Sequence, residues 1–418
     1  MFFKKRQRYS QMGSSDKEKR SGFGRHYGTP DSPVNSFIFF TVGAWQCLRK
    51  KPELDADLLK EADTPYILLA NHECFEDFYY LHLLPHPVNP AYVINKYYCT
   101  GGFTGWLRRH VGFIPKKLFT HDTETIFGIK RVLKKGYPVI IYPEGRLSPD
   151  GRTNPIVEKG GRLFKIFNAD IVLVNVDGGY YAHPKWRKKP YSADVKITVK
   201  RVIKKNEIAS MSADELDSII SRTLYNDAAL SEKRYYPRKD KAEGLEGILY
   251  RCIDCGTLYR MEGRGNELIC HSCGAVRRID ESYHFGGTPG VAAGPEVSSI
   301  GGYYDRIRKM EEKDIGSLYL HAKVRTKVFD DNCKVCLKEN GECTLDKDAF
   351  SYRSATEEFT IPTEKISALA FSCQEEFELY YNGRLHYFYP EEDPVQAARW
   401  ALAVDILTDM RNKSGKEK

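Results

Sequence analysis

Five consecutive apolar residues, Tyr66-Ile67-Leu68-Leu69-Ala70, follow Pro65 and end abruptly at Asn71-His72. A continuous apolar run of that length, bounded by a proline and a polar cluster, predicts a strand buried on both faces. Similar short strands are expected at Ala91–Ile94, Gly112–Pro115, Tyr137–Tyr142 and Ile171–Val176. Helical patterns lie between them. Thr123 to Lys135 puts Ile126, Ile129, Val132 and Leu133 on one face and stops at Gly136. Gly105–Arg109 and Gly160–Ala169 also read as helical, and Ser212-Ala213-Asp214-Glu215 is a capping box opening a helix through Leu224. Strands alternating with helices predict an α/β domain with a largely parallel sheet over residues 31–235.

His72 then falls at the carboxyl end of a strand, where open α/β sheets place their ligands. Asp77 follows five residues later. A chain that turns into a helix after Cys74 can bring that carboxylate to the imidazole, fixing its tautomer and making the other ring nitrogen a better base. Taken by itself, a histidine at a strand end is better explained as a satisfied polar residue. The blocks downstream reverse that weighting.

Asn71-His72-Glu73-Cys74-Phe75-Glu76-Asp77 resembles the NHxxxxD block of the glycerolipid acyltransferases, the PlsC-type family that contains 1-acyl-glycerol-3-phosphate acyltransferase. Tyr142-Pro143-Glu144-Gly145-Arg146-Leu147-Ser148 is similar to that family's FPEGTRS block. Gly112-Phe113-Ile114-Pro115-Lys116 stands between them, and Val172–Gly178 resembles the last apolar block. The resemblance covers roughly residues 35–230. It implies an acyltransferase that moves a fatty acyl group from a thioester, on coenzyme A or acyl-carrier protein, to a lysophospholipid hydroxyl. It gives His72 the role of general base and Asp77 that of its support. Glu144, Gly145 and Arg146 would order the head-group site, with Lys116 where the family has arginine and Arg146 displaced by one position. Lys117 and Arg152 are nearby cations able to compensate. Cys74, at a position the family varies, carries little weight as a nucleophile.

Composition changes near Tyr235. Cys252-Ile253-Asp254-Cys255-Gly256 and Cys270-His271-Ser272-Cys273-Gly274 are two CxxCG units with fourteen residues between Cys255 and Cys270. Such paired knuckles predict a tetrahedral structural zinc site in a ribbon over residues 236–284, in preference to redox cysteines. Clustering of four of the eleven cysteines this way favours metal in a reducing compartment over a disulfide framework. A glycine-rich linker is expected over 285–302. Residues 303–418 read as β-strands closed by one helix. Asn382-Gly383 marks a hairpin, and Ala397, Trp400, Val404 and Leu407 form the helix's buried stripe. That pattern resembles a pleckstrin-homology-like or GRAM-like module. Cys333, Cys336 and Cys343 are expected to be free thiols, since a second metal site would need a further ligand such as His321 or Cys373.

A net charge of +8 suits phosphate-bearing partners without choosing among lipid head groups, cofactors and nucleic acid. Residues 1–30 read as a disordered basic arm. Ser36–Leu48, rich in aromatics beside Arg49-Lys50-Lys51, fits either an in-plane helix at a membrane surface or a core-packing helix. No apolar stretch is long enough to span a bilayer, so a cytoplasmic, peripherally membrane-associated enzyme is expected. The alternative is a binding protein, for nucleic acid or a protein partner, built on an inactive acyltransferase domain. The ribbon lacks the aromatic and basic clustering of a base-stacking surface, which makes nucleic acid the weaker partner.

Overall fold

The computed structural model describes residues 30, 33–37, 39–41, 52–86, 88–99, 110–156, 160–191, 193–231, 235–286, 297–331 and 333–416. The basic arm, Trp45, the Arg49–Lys51 cluster, the expected helix at Gly105–Arg109 and the centre of the glycine-rich span lie outside the described residues.

The first sheet contains β1 (Glu53–Asp55), β2 (Tyr66–Ala70), β3 (Ala91–Asn95), β4 (Phe113–Lys116), β5 (Val139–Ile141), β6 (Asp170–Asp177) and β7 (Lys196–Ile203). Their order is β1-β7-β6-β2-β5-β3-β4, and only the β6–β7 pair is antiparallel. All five residues of β2 are buried, as a strand at the centre of a covered sheet requires. Helices α1 (Asp77–His82), α2 (Thr123–Lys134), α3 (Gly160–Lys165) and α4 (Gly179–Ala182) lie between the strands in sequence, and α5 (Lys205–Ser210) and α6 (Ala213–Leu224) follow β7. Asp122 caps α2 by accepting from the amides of Glu124 and Thr125, and Ser212 caps α6 through the amide of Glu215. Helix α3 is shorter than its sequence pattern suggests, because Asn168 adopts a left-handed conformation at φ 50°.

The cysteine-bearing piece is a four-stranded sheet in the order β11-β10-β9-β8, made of β8 (Met261–Arg264), β9 (Glu267–Cys270), β10 (Val276–Ile279) and β11 (Phe285–Gly286). The span read as a linker therefore starts with a paired strand. It ends in the first turn of α7 (Ile300–Asp314), a helix that the sequence pattern did not reveal.

The last sheet is antiparallel and runs β15-β14-β13-β12-β18-β17-β16. Its strands are β12 (Tyr319–Phe329), β13 (Val335–Asp346), β14 (Ala349–Ser354), β15 (Glu358–Pro362), β16 (Ala370–Phe371), β17 (Phe377–Tyr381) and β18 (Arg384–Pro390). Asn382 and Gly383, both at positive φ, make the β17–β18 turn. Helix α8 (Gln396–Lys416) closes the sheet, with Ala397, Trp400, Val404 and Leu407 buried beneath it.

These pieces share one interior. A single apolar cluster runs from Tyr180, Tyr181 and Trp186 through Leu249 and Tyr283 to Trp400. Buried Glu311 on α7 bridges Arg251, just before the first knuckle, to Arg399 on α8 at 3.2 and 3.1 Å.

Candidate active site

Beyond the end of β2, Asn71 continues the sheet with its side chain. Its Nδ2 donates to the Val176 carbonyl at 2.8 Å, and its Oδ1 accepts from the Val176 amide at 2.7 Å. This fixes the backbone that presents His72. The His72 Nδ1 lies 3.0 Å from Asp77 Oδ2, which also accepts from the amides of Glu73 and Cys74 at 2.7 and 3.0 Å. The Asp77 side chain is fully buried. Three donors on one oxygen hold it in a single orientation, and Nε2 is left as the imidazole's open position.

The other wall of the imidazole is Tyr142, at the end of β5. The two rings stack with centroids 4.0 Å apart and planes 16° from parallel. Glu144 ties this turn to the histidine, accepting from the His72 amide at 2.7 Å on one oxygen. Its other oxygen accepts from the backbone and side-chain amides of Asn154 at 2.6 and 2.9 Å. Burial pushes the Glu144 carboxyl up to about 8, against the pull of those N–H donors. Glu144 is thus a brace behind the site. Gly145 takes φ 70°, which the turn requires. Cys74 is buried, its thiol donates to Asp77 Oδ1 at 3.1 Å, and burial holds its pKa well above the usual thiol value. It is a poor nucleophile there.

His72 lines a cavity of about 2650 Å³. Phe39, Phe78, Val111, Phe113 and Ile129 contribute apolar surface to it, and Lys116, Glu144 and Arg146 also line it. The expected cations divide into two groups. Arg146 is ion-paired with Asp405 of α8 and donates to the Leu369 carbonyl at 3.3 Å. Arg152 donates to Asp150 and, through two nitrogens, to Asp305 of α7 at 2.6 and 2.8 Å. Lys117 pairs with Asp331 at 2.8 Å. Lys116, by contrast, makes a 3.5 Å contact with the Thr120 carbonyl and has no carboxylate within ion-pairing distance among the described residues. Burial lowers its pKa.

A second imidazole–carboxylate pair lines the same cavity. His183, just after α4, places Nδ1 3.1 Å from Glu76 Oε1. The sequence reading missed it, because His183 lies six residues beyond the end of β6 and past α4, and its partner Glu76 is 107 positions earlier.

The sulfurs of Cys252, Cys255, Cys270 and Cys273 lie within 4.8 Å of one another, with two of the pairs at 3.8 Å. A tetrahedral ion with thiolate bonds of about 2.3 Å has edges of about 3.8 Å, so the four sulfurs fit a zinc-sized ion. Gly256 and Gly274 take φ 78° and 75°, closing both knuckles. Among the described residues no second cysteine cluster of this kind is found. Cys333 Sγ lies 3.7 Å from the Lys96 carbonyl, Cys336 Sγ lies 3.4 Å from the Val328 carbonyl, and Cys343 is buried in β13.

Comparison with known proteins bears on the first sheet. The family model described as Acyltransferase matches residues 51–176. The chloroplastic 1-acyl-sn-glycerol-3-phosphate acyltransferase BAT2 of Brassica napus is 30% identical over 131 residues, covering 28% of this chain and 36% of that protein. The chain therefore spans little more than a third of the length of this curated relative. Among solved structures, the 1-acyl-sn-glycerophosphate (LPA) acyltransferase PlsC of Thermotoga maritima matches at 18% identity with a TM-score of 0.38, covering 46% of this chain and 76% of that one. The family match takes in both the His72–Asp77 block and the Tyr142–Ser148 turn. Residues 51–176 are thus similar to the Acyltransferase family in sequence.

Proposed function

We propose that the protein transfers a fatty acyl group from a thioester, on coenzyme A or acyl-carrier protein, to the free hydroxyl of a lysophospholipid. The acceptor proposed is 1-acyl-glycerol-3-phosphate, giving phosphatidate. The observation that carries this reading is the buried Asp77 carboxylate 3.0 Å from His72 Nδ1, beside a largely apolar cavity. His72 Nε2 accepts the proton as the acceptor oxygen attacks the thioester carbonyl. The carbon–sulfur bond then breaks, and the thiolate leaves with that proton as the ester forms. Asp77 holds the ring in one tautomer and steadies its positive charge. No covalent enzyme intermediate is needed, in keeping with the protonated state of Cys74.

The four-cysteine site is proposed to hold a structural zinc ion. The last sheet is proposed to be a pleckstrin-homology-like module. Its support is the strand order, in which the first four strands and the last three form two halves joined at β12–β18 and capped by α8. Work at a membrane surface is consistent with exposed Phe37 and Phe40 on the helical residues 33–37 and 39–41. Among the described residues no helix is long and apolar enough to cross a membrane. The reading as a binding protein on a retired domain has less support, because the imidazole–carboxylate pair is intact.

The test is transfer from a radiolabelled acyl-CoA to 1-acyl-glycerol-3-phosphate by the full chain and by His72→Ala. The expected result is product from the wild type and a loss of about 10²-fold or more in the variant, with an unchanged circular dichroism spectrum. Equal turnover by a folded variant would remove His72 from its role, and no product from the wild type would overturn the proposed activity.

A further inference from the structure

The loop after α4 brings Lys185 into the wall of the cavity that His72 lines. Its ammonium sits 3.5 Å from the centroid of Phe371, at the end of β16. Unlike Arg146, Arg152 and Lys117, it has no carboxylate within ion-pairing distance among the described residues. An aromatic face offsets only part of the cost of withdrawing an ammonium from water. The neighbouring charges do not complete the balance. Arg146 opposes Lys185, Asp405 is committed to Arg146, and Glu378 shares its carboxylate with Tyr387. Burial, with Arg146 adding to it, brings the ammonium down to about 8, although Cys373, Glu378 and Asp405 act in the other direction.

We propose that Lys185 binds the phosphate of the acceptor lysophospholipid, taking the place that its three paired neighbours cannot fill. This rests on the reading of the cavity as a lysophospholipid site. A lysine serves as a point charge for phosphate and needs no bidentate geometry. The dianion gives the ammonium a counter-charge, and Lys116, in the same cavity without a carboxylate partner among the described residues, adds a second positive charge. Two halves of the chain then share one head-group pocket, since the ring beneath Lys185 belongs to the last sheet.

Lys185→Met keeps the length of the side chain and removes its charge. KM is measured for two acceptors, 1-acyl-glycerol-3-phosphate and a monoacylglycerol without phosphate, at a fixed acyl-CoA concentration, and then for acyl-CoA itself. The expected result is a rise of at least tenfold in the ratio of the phosphate acceptor's KM to the monoacylglycerol's, with most of the preference restored in Lys185→Arg. A ratio that moves by less than twofold overturns the proposal. So does a rise confined to the KM for acyl-CoA, which would assign Lys185 to the donor's phosphates. Calorimetric binding of 1-acyl-glycerol-3-phosphate to both proteins separates this inference from the activity. A tenfold loss of affinity in the variant supports it even where turnover is absent, and equal affinity, or no binding by the wild type, sinks it. Lys185→Gln reads the same loss of charge should Lys185→Met fail to fold.

Discussion

Asp405, on the last helix, holds the guanidinium of Arg146, 259 positions earlier on the turn behind the candidate base. Both side chains are largely buried, at 10% and 18% exposure. Removing one member of a buried pair leaves the other charge uncompensated, at a cost of about 3–5 kcal/mol. Asp405→Ala is therefore expected to lower stability by about 3 kcal/mol. Urea denaturation checks this, and a change below about 0.5 kcal/mol would place the pair among solvent-screened surface contacts.

Glu144 gives a pH signature. Its folded pKa is raised from 4.5 to about 8, so the folded chain keeps a proton that the unfolded chain releases. Its contribution to stability is full below about 4.5 and is lost as pH rises towards 8, with a slope of up to about 1.4 kcal/mol per pH unit. Glu144→Gln also puts an amide nitrogen against an N–H donor, costing about 1–3 kcal/mol. The penalty of the variant relative to wild type should thus shrink between pH 5 and pH 8. A penalty that stays flat over that range would mean that Glu144 is ionised throughout.

Tyr142 separates ring from hydroxyl. Its Oη is buried without a hydrogen-bond partner among the described residues, whereas its ring stacks on His72. Tyr142→Phe should keep kcat and match or exceed wild-type stability by up to about 1 kcal/mol. Tyr142→Ala should lose about 3 kcal/mol and about tenfold in kcat, as the imidazole gains freedom. Steady-state assays on the two variants decide it, and equal kcat values would deny the ring a positioning role.

Metal removal should be felt well beyond the ribbon. Leu268, Ile279 and Tyr283 belong to the cluster that also holds Tyr181 and Trp400. Elemental analysis should find one zinc per chain, and Cys270→Ser or a strong chelator should lower the melting temperature of the whole chain. A calorimetric trace in which only a small early transition disappears would count against that coupling.

What the sequence disclosed was local. The His72–Asp77 pair, five residues apart, gained its weight only from the resemblance of the blocks around and downstream of it, whereas the two CxxCG knuckles were legible from spacing alone. The β17–β18 hairpin was legible for the same reason. Helix α7 was not, because it opens on Ile300-Gly301-Gly302 after a glycine-rich span, and its Ser299 cap, which accepts from Gly302 at 3.0 Å, is an isolated signal. Strand β7 was passed over although Ile197, Val199 and Ile203 are buried, and it supplies the sheet's one antiparallel pairing. The pairing of Arg146, Arg152 and Lys117 with acids more than a hundred residues away leaves no trace in a linear pattern. The motif that suggested Arg146 for the head-group site therefore gave no sign that Asp405 pairs with it.

The cluster joining Tyr180, Tyr181 and Trp186 to the ribbon and the last helix leaves no seam in the chain. A gene shortened after residue 235 would encode an acyltransferase part with a bare, sticky flank, prone to aggregate. Any lineage that dispensed with the appendages would have had to repaint that flank with polar side chains.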